Sequence, residues 1–291
     1  MASSATDQKP SVAQSLLLGL PALLVVAFVV MAPLVMLIRI SFDLKGRTSL
    51  MTGAWSLQNF SEFFASPFYQ KVLLNTVMMS AATTFACLLL GFPLAYFVAR
   101  TRSATVKSTI MILLVLPMFI GNSARVVGWA TILADRGVLN GLFSWLGYSG
   151  EPVKILYTAT AVFISLVSVL LPYVVIVMQG TISAIPESLE EAAAGLGGGP
   201  FTIVTRVLFP LAMPGMFAAA SLCFILAMSA YAAPVLLGGS NYQMLGPLIY
   251  QQMTKVSNWP FAAAIATVLV VTTVLVTVVS NTLLEKRFGR V

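Results

Sequence analysis

The chain has 291 residues, of which 59% are hydrophobic and only 9% are charged, and its mean hydropathy is +0.96. A soluble domain carries about 25% charged residues, so this composition excludes an ordinary soluble protein and indicates a chain that is solvated by lipid. The formal net charge is +7, but the basic residues cluster at the ends of apolar runs, where they meet lipid headgroups, so we predict no nucleic-acid binding.

The chain contains no histidine and two cysteines, Cys87 and Cys223. The missing histidine removes Ser-His and Cys-His nucleophile pairs and histidine metal ligands. The two cysteines lie in separate apolar stretches and form no Cys-x-x-Cys pair, so we predict buried thiols rather than a disulfide or a zinc site. We therefore expect no catalytic residue, no metal site and no cofactor bound by this chain.

Six apolar stretches are long enough to cross a bilayer core, which needs roughly 20 helical residues. In chain order they lie at 16–38, within 72–99, at 108–133, within 155–181, at 211–237 and at 261–284. Pro21 and Pro33 interrupt the first stretch and no cleavage pattern follows it, so it is not a removed signal. Because lipid offers backbone groups no partner outside their own segment, we predict an all-α protein with six transmembrane helices.

Six spans place both termini on one side, and the density of basic residues near helix ends selects that side. One side holds Lys9, Arg100, Arg102, Lys107, Arg206, Lys286, Arg287 and Arg290, and the other holds Arg39, Lys45, Arg47, Lys71, Arg136, Lys154 and Lys255. The first set is denser at the helix ends. We therefore predict cytoplasmic tails at 1–15 and 285–291 and a periplasmic loop at 39–71.

The loop at 183–210 is the most informative stretch, because it predicts two short helices around a glycine hinge. Pro186 suits a first helical turn, and the acidic residues that follow it favour the helix dipole. Gly197–Gly199 end the first helix, and Pro200 opens a second that enters the membrane past Pro210. An ordinary connection needs no helix of its own, and a phosphate-binding loop would need a Gly-Lys-Ser/Thr ending after a strand.

This loop resembles the EAA loop in the permease subunits of bacterial binding-protein-dependent ABC importers. That pattern is Glu-Ala-Ala, three residues, Gly, nine residues, Ile, one residue and Leu-Pro. The corresponding residues here are Glu191, Ala192, Ala193, Gly197, Val207, Phe209 and Pro210. Val207 stands for Ile, Phe209 for Leu, and Gly195 for an Asp found in many relatives. These are small or apolar changes at a packing surface.

The resemblance runs from about Pro21 to the sixth span and is greatest for the spermidine/putrescine first-permease group. The residues that carry it are Ser41-Phe42, Gly91-Phe92-Pro93, Leu116-Pro117, Arg125, Trp129, Leu171-Pro172, Pro234 and Asn258-Trp259-Pro260. The wider group also serves opines, aminoalkylphosphonates, ferric iron and thiamine. The resemblance therefore implies a class of importer and leaves the transported compound open.

The resemblance implies a type I ABC importer permease fold in the bacterial inner membrane, with its core at 72–284. The first helix of the loop would be the coupling helix that docks on an ATPase. The residues implied in coupling are Glu190, Glu191, Ala192, Ala193, Gly197, Val207 and Pro210. The implied partners are a second, different permease, two ATPase subunits that use ATP and Mg, and a periplasmic binding protein. On this interpretation the chain itself is not an enzyme.

The candidate lining of the substrate path consists of polar and aromatic residues within or beside the spans, and ordinary helix packing is the alternative for each. These residues are Asn122, Arg125, Trp129, Tyr173, Phe224 and Tyr231. Arg125 is the one charge inside a predicted span. It either faces the path or extends to the outer interface, and the sequence leaves both interpretations open.

Three other classes of membrane protein are alternatives. A secondary, ion-coupled transporter often has duplicated halves and a buried carboxylate, and neither is evident here. An intramembrane enzyme lacks support because there is no histidine and no buried pair of aspartates. A channel subunit would have no use for the coupling loop.

Overall fold

The computed structural model describes residues 12–46, 53, 55–147 and 150–288, and every regular element within these ranges is helical. The helices are α1 (Val12–Ser41), α2 (Gln58–Ala65), α3 (Pro67–Arg100), α4 (Ala104–Phe119), α5 (Asn122–Leu133), α6 (Val138–Trp145), α7 (Ala159–Ala184), α8 (Glu187–Gly195), α9 (Pro200–Ile203), α10 (Phe209–Met228), α11 (Leu245–Thr254) and α12 (Trp259–Phe288). Two π-helical turns lie at Val204–Leu208 and Pro234–Gly238. The all-α prediction is confirmed for the described part of the chain.

Five segments in the described ranges are long and apolar enough to cross a membrane. They are Leu24–Ser41 in α1, the whole of α3 and α7, Pro200–Met228 through α9 and α10, and Trp259–Thr282 in α12. A sixth crossing is made by α4 and the residues that follow it, if this bent pair counts as one span. The first helix is longer than predicted at both ends, and residues 1–11 of the predicted tail lie outside the described ranges.

The third span, predicted as one continuous helix at 108–133, is broken. Helix α4 ends at Phe119, α5 begins at Asn122, and the chain bends by 100° between them. Pro117 has no amide hydrogen for the α4 ladder, and its carbonyl accepts a turn hydrogen bond of 3.2 Å from the Ile120 amide. The break therefore has a local cause, which is a proline in the last turn of α4.

The fifth span also ends earlier than the predicted 211–237. Helix α10 stops at Met228, and the chain resumes helical structure only in the π-helical turn that starts at Pro234. Pro234 has no amide hydrogen to donate to the Ala230 carbonyl four residues earlier. The α11 backbone lies against that carbonyl instead, since a Cβ atom on Gly246 would be 2.5 Å from the Ala230 oxygen.

The core of the bundle is formed by α3, α7 and α10. Cys87 of α3 and Cys223 of α10 are both fully buried in this core, and both are free thiols. This confirms the prediction that both cysteines are buried. The sequence separates the two residues widely, but the fold brings them into one apolar cluster.

Helix α1 lies at the periphery and packs along α12. Only 6% of the residues in its span Leu24–Ser41 are buried, so most of its side chains remain available to lipid or to another subunit. The end of α1 is fixed by Asn59 of α2, whose Nδ2 donates to the carbonyls of Ser41 (2.9 Å) and Asp43 (2.7 Å).

The bundle has two distinct ends. At the end called here the α8 end, α3 and α7 finish and α4 and α10 begin. At the opposite end lie α2, α6 and α11, together with a cation–π contact in which the Arg39 guanidinium is 4.4 Å from the Trp55 ring centroid. Tyr242 ties this end to α3, because its hydroxyl donates to the Asn75 carbonyl at 3.0 Å. Burial raises the pKa of Tyr242 above its ordinary value, so the phenol remains a neutral donor.

Candidate functional site

Helix α8 is a short helix outside the bundle core, placed between the end of α7 and the start of α10. Pro186 precedes it, and Glu187 and Glu190 lie in its first turn, where carboxylates favour the helix dipole. It ends with two hydrogen bonds, from the Gly197 amide to the Ala194 carbonyl and from the Gly198 amide to the Ala193 carbonyl, both 2.9 Å. With Gly197 at φ 85°, this is a Schellman C-terminus. The prediction that glycines end this helix is confirmed.

Glu190 attaches α8 to the last turn of α3. Its Oε1 accepts a hydrogen bond from Arg100 Nε at 2.7 Å and lies 2.6 Å from Arg100 Nη2 in an ion pair, and its Oε2 accepts a hydrogen bond from the Tyr96 hydroxyl at 3.1 Å. Arg100 Nη2 also donates to the Ile185 carbonyl at 3.0 Å, just before α8. The Arg100 and Glu190 side chains are only 13% and 14% exposed, so solvent screens this ion pair weakly.

The remaining predicted coupling residues on α8 are more accessible. Glu191 and Ala192 are exposed, and Ala193 is half-buried. Gly197 is exposed at the turn. The structure thus separates Glu190, which is occupied by α3, from Glu191, which is open to a partner.

Two apolar side chains that sequence reasoning did not single out stand beside this turn. Leu196 is 91% exposed and Phe201 is 81% exposed. They flank Gly197–Gly199: Leu196 lies outside every candidate membrane span, whereas Phe201 is the second residue of the span Pro200–Met228. The signal that would have identified them is a leucine and a phenylalanine on either side of a glycine run, in a loop that otherwise carries acidic residues.

The chain returns to the bundle through α9, a π-helical turn and α10. Val207 and Pro210 are half-buried, and Leu208 between them is fully buried in the core. The Phe209 ring packs edge-on against Phe92 of α3, with the ring centroids 5.7 Å apart. The second half of the motif therefore packs against the bundle, whereas its first half projects away from it.

The candidate path residues are distributed over several places. Asn122 is exposed at the start of α5, and Trp129 donates from Nε1 to Ser168 Oγ of α7 at 2.7 Å. Tyr173 is half-buried against the central core. Tyr231 is 39% exposed and its ring lies 5.1 Å from that of Tyr250, towards the opposite end.

Phe224 is buried and lines a cleft of about 680 Å³ between α3, α10 and α12. Most of this lining is apolar, and its polar residues are Thr84, Ser221, Thr277, Ser280 and Asn281. Ser221 Oγ donates to Asn281 Oδ1 at 3.1 Å and so joins α10 to α12. None of the other path candidates lines this cleft.

Arg125 lies in the first turns of α5, directly after the break in the third span. Its Nε and Nη1 atoms are buried and have no hydrogen-bond partner within the described part of the chain. A guanidinium in this state is destabilising, because its desolvation is not offset by a carboxylate or a carbonyl. Both sequence interpretations of Arg125 remain predictions.

Within the described residues, no group of three or more histidine, cysteine, aspartate or glutamate side chains is arranged to hold a metal ion. The predicted coupling loop forms a short helix and an exposed apolar turn at one end of the bundle.

Residues 87–290 match the family described as the binding-protein-dependent transport system inner membrane component. The chain belongs to this family. Its relatives include the spermidine/putrescine transport system permease protein PotB of Escherichia coli (strain K12), which is 33% identical over 235 residues, or 81% of this chain and 85% of the relative. PotB of Haemophilus influenzae is 30% identical over 263 residues, or 89% of this chain and 91% of that protein.

A solved bacterial alginate ABC transporter, in complex with an alginate pentasaccharide-bound periplasmic protein, contains a chain of similar fold. The TM-score is 0.77, and the match covers 94% of this chain and 95% of that chain at 18% identity. At this identity the likeness concerns the fold alone. Taken with the family match, it makes this permease a multi-pass inner-membrane subunit of an ABC importer.

Proposed function

We propose that this permease is the transmembrane subunit through which an ATP-driven importer moves a small solute into the cytoplasm, and that α8 docks on a separate ATPase. The observation that carries the proposal is the exposed turn that follows α8. Leu196 and Phe201 are 91% and 81% exposed, next to the exposed Glu191, and Leu196 lies outside every candidate membrane span. Large apolar side chains are seldom so exposed on the surface of a protein. They would fit a groove on a protein partner.

Basic residues at the same end of the bundle support the orientation that we propose. Arg100, Arg102, Lys107 and Arg206 all lie at the α8 end, close to the ends of α3 and the starts of α4 and α10. Basic residues near helix ends favour the cytoplasmic side. We place α8 and both termini in the cytoplasm, where an ATPase can reach α8, and α2, α6 and α11 on the periplasmic side.

The mechanism is alternating access. Closure of two ATP-binding ATPase subunits moves α8, and the helices of this permease and of a second, different permease reorient around a shared path. The solute arrives from a periplasmic binding protein, and ATP and Mg act in the ATPase subunits. The fold supports these separate roles of the subunits, because one bundle of this size would enclose only one side of the solute path.

The transported solute is a polyamine or a related organic amine, such as an opine or an aminophosphonate. Support comes from the PotB relatives, whose names give spermidine and putrescine as their cargo. Among the described spanning helices no carboxylate is available to bind a cation. Aromatic rings, carbonyls and residues of the second permease would therefore provide the contacts with an amine.

Binding of the cognate ATPase to Leu196→Ser and Phe201→Ser variants tests the docking surface. Burial of one such side chain contributes about 1.5–3 kcal/mol, so each variant should bind the ATPase about tenfold or more weakly. Trp145→Ser is the matched control, because Trp145 is also 81% exposed but lies at the opposite end. Unchanged ATPase affinity in both loop variants would contradict docking through this turn.

A further inference from the structure

We propose that Arg100 is a positioning residue for coupling, because it makes α8 move together with α3. The inference rests on the proposed function above. It adds that α3 is the element of the bundle that first receives the movement of α8. It is carried by the four contacts that join Tyr96 and Arg100 to Glu190 and Ile185.

The four contacts hold α8 at two points. Arg100 binds the Glu190 carboxylate in the first turn of α8 and also the Ile185 carbonyl in the link that precedes it. Tyr96 occupies the second carboxylate oxygen of Glu190. Tyr96 and Arg100 are four residues apart on α3, so both side chains lie on the same face of that helix. A helix held at two points by charged hydrogen bonds cannot rotate freely about either one.

The chain connections on either side of α8 transmit its movement less directly than these four contacts do. On its C-terminal side only Gly197–Gly199 separate α8 from the continuous helix that runs from Pro200 through α9, the π-helical turn and α10 to Met228. On its N-terminal side only Ile185 and Pro186 separate it from α7. Because the glycine run can absorb displacement on the C-terminal side, contacts as well as chain connectivity are needed to carry a rigid-body movement of α8 into the bundle.

The chemistry at the two helix ends favours this particular pairing. Arg100 is the last residue of α3, where a cation complements the negative end of the helix dipole. Glu190 lies in the first turn of α8, where an anion complements the positive end. The ion pair therefore joins two oppositely polarised helix ends in a pocket where both side chains are less than one-sixth exposed.

Helix α3 is suited to distribute the movement. It packs against α7 and α10 along the core, and Phe92 contacts Phe209 at the start of α10. With 34 residues it is about 50 Å long, so it extends from the α8 end to the opposite end of the bundle. A displacement of its C-terminal turn is thus delivered to the helices that α8 does not touch.

The test compares uptake per ATP hydrolysed in proteoliposomes that hold the complete importer. For Arg100→Gln we expect the ATPase to bind with wild-type affinity while uptake per ATP falls at least tenfold. Tyr96→Phe removes one hydroxyl and keeps the ring, so it should lower uptake per ATP two- to threefold. This variant provides the test if Arg100→Gln does not fold. Arg102→Gln is the matched control, because Arg102 is exposed two residues further along, and it should retain the wild-type ratio.

The charge-reversed pair Arg100→Glu with Glu190→Arg should recover part of the ratio lost in either single reversal. Wild-type uptake per ATP in both Arg100→Gln and Tyr96→Phe would overturn the proposal. Variants that lose uptake and ATPase binding in equal proportion would also overturn the proposal, since such losses indicate a structural role only. Failure of the wild-type chain to bind the ATPase would instead contradict the proposed function, so the two failures are distinguishable.

Discussion

Glu190 and Glu191 are consecutive residues of α8, but they have different surroundings. The Glu190 carboxylate is 14% exposed and is held by Arg100, whereas Glu191 is exposed and has no ion pair within the described part of the chain. A partner that docks on α8 can therefore reach the second carboxylate but not the first. The two adjacent acids therefore differ in their surroundings: Glu190 is bound within the chain and Glu191 is open to its outside.

Replacement of these two glutamates should separate stability from docking. Glu190→Gln should lower the melting temperature of the detergent-solubilised permease, because hydrogen bonds to a charged group contribute about 1.5–3 kcal/mol. Glu191→Gln should leave the melting temperature unchanged and weaken binding of the ATPase. Thermal unfolding and ATPase affinity are measured on both variants. A Glu191→Gln variant that melts lower than Glu190→Gln would contradict the assignment.

The three consecutive glycines after α8 should differ in their tolerance of alanine. Gly197 has φ 85°, and a Cβ atom on Gly198 would lie 2.8 Å from the Ala193 carbonyl oxygen, so both substitutions should disturb the turn. Gly199 has φ −71°, and a Cβ atom there would meet nothing within 4 Å, so Gly199→Ala should be neutral. Uptake and membrane insertion are measured together. Normal uptake in Gly197→Ala and Gly198→Ala would contradict a role for this turn in coupling.

A larger residue at Ala193 extends the same test. Ala193 is half-buried, and its carbonyl accepts the hydrogen bond that closes α8. We expect Ala193→Leu to insert normally in the membrane and to lose ATP-driven uptake, because the added volume holds the partner surfaces apart. Normal uptake in this variant would count against α8 as the docking helix.

The contact between Gly215 of α10 and Thr181 of α7 should be intolerant of any side chain. A Cβ atom on Gly215 would overlap the Thr181 side chain, so Gly215→Ala must push the two helices apart, and overpacking of this kind costs about 1–3 kcal/mol. Gly180→Ala is the control, since no atom lies within 4 Å of its Cβ position. Melting temperatures of the two variants are compared. Equal stabilities would show that α7 and α10 are not so closely packed.

Arg125 should destabilise the isolated permease. Its Nε and Nη1 are buried without partners in the described part of the chain, and its charge lies near the positive end of α5. We expect Arg125→Gln to raise the melting temperature, whereas Arg136→Gln, at an exposed position in the following turn, should not change it. A lower melting temperature for Arg125→Gln would contradict this account and indicate a partner group that stabilises the charge.

Uptake by the same Arg125 variants separates the two interpretations of this residue. A path residue loses transport on substitution by Gln or Lys, whereas a residue that extends to the membrane interface does not. The Lys variant keeps the charge but not the planar guanidinium. Transport that survives both substitutions would therefore assign Arg125 to the interface.

The sequence predicts the parts of this fold that depend on composition and on local backbone chemistry. Five crossings, and a bent pair that can form the sixth, follow from the lengths of the apolar runs, and the end of α8 follows from Gly197, which takes a left-handed conformation. The break at Pro117 and the stop at Met228 were not predicted. Hydropathy is averaged over a window of residues. It remains high through Ile120 and through Ala230, although α4 and α10 have already ended before these residues.

The contacts of the candidate site were less predictable than its position. The motif places Glu190 and Glu191 together, and only the approach of α3 shows that Arg100 occupies one of them. Leu196 and Phe201 were missed because apolar residues are common in a chain of this composition, and only their exposure distinguishes them. Cys87 and Cys223 likewise come together through packing of α3 on α10, which no spacing rule contains.

The most direct test of the proposed function is uptake in proteoliposomes that contain this permease with its second permease, its ATPase and its binding protein. The panel consists of polyamines, opines, aminophosphonates, ferric iron and thiamine, each tested with and without ATP and the binding protein. We predict uptake of an organic amine that requires both ATP and the binding protein. Uptake that follows an ion gradient and ignores ATP, as in a secondary transporter, would contradict it.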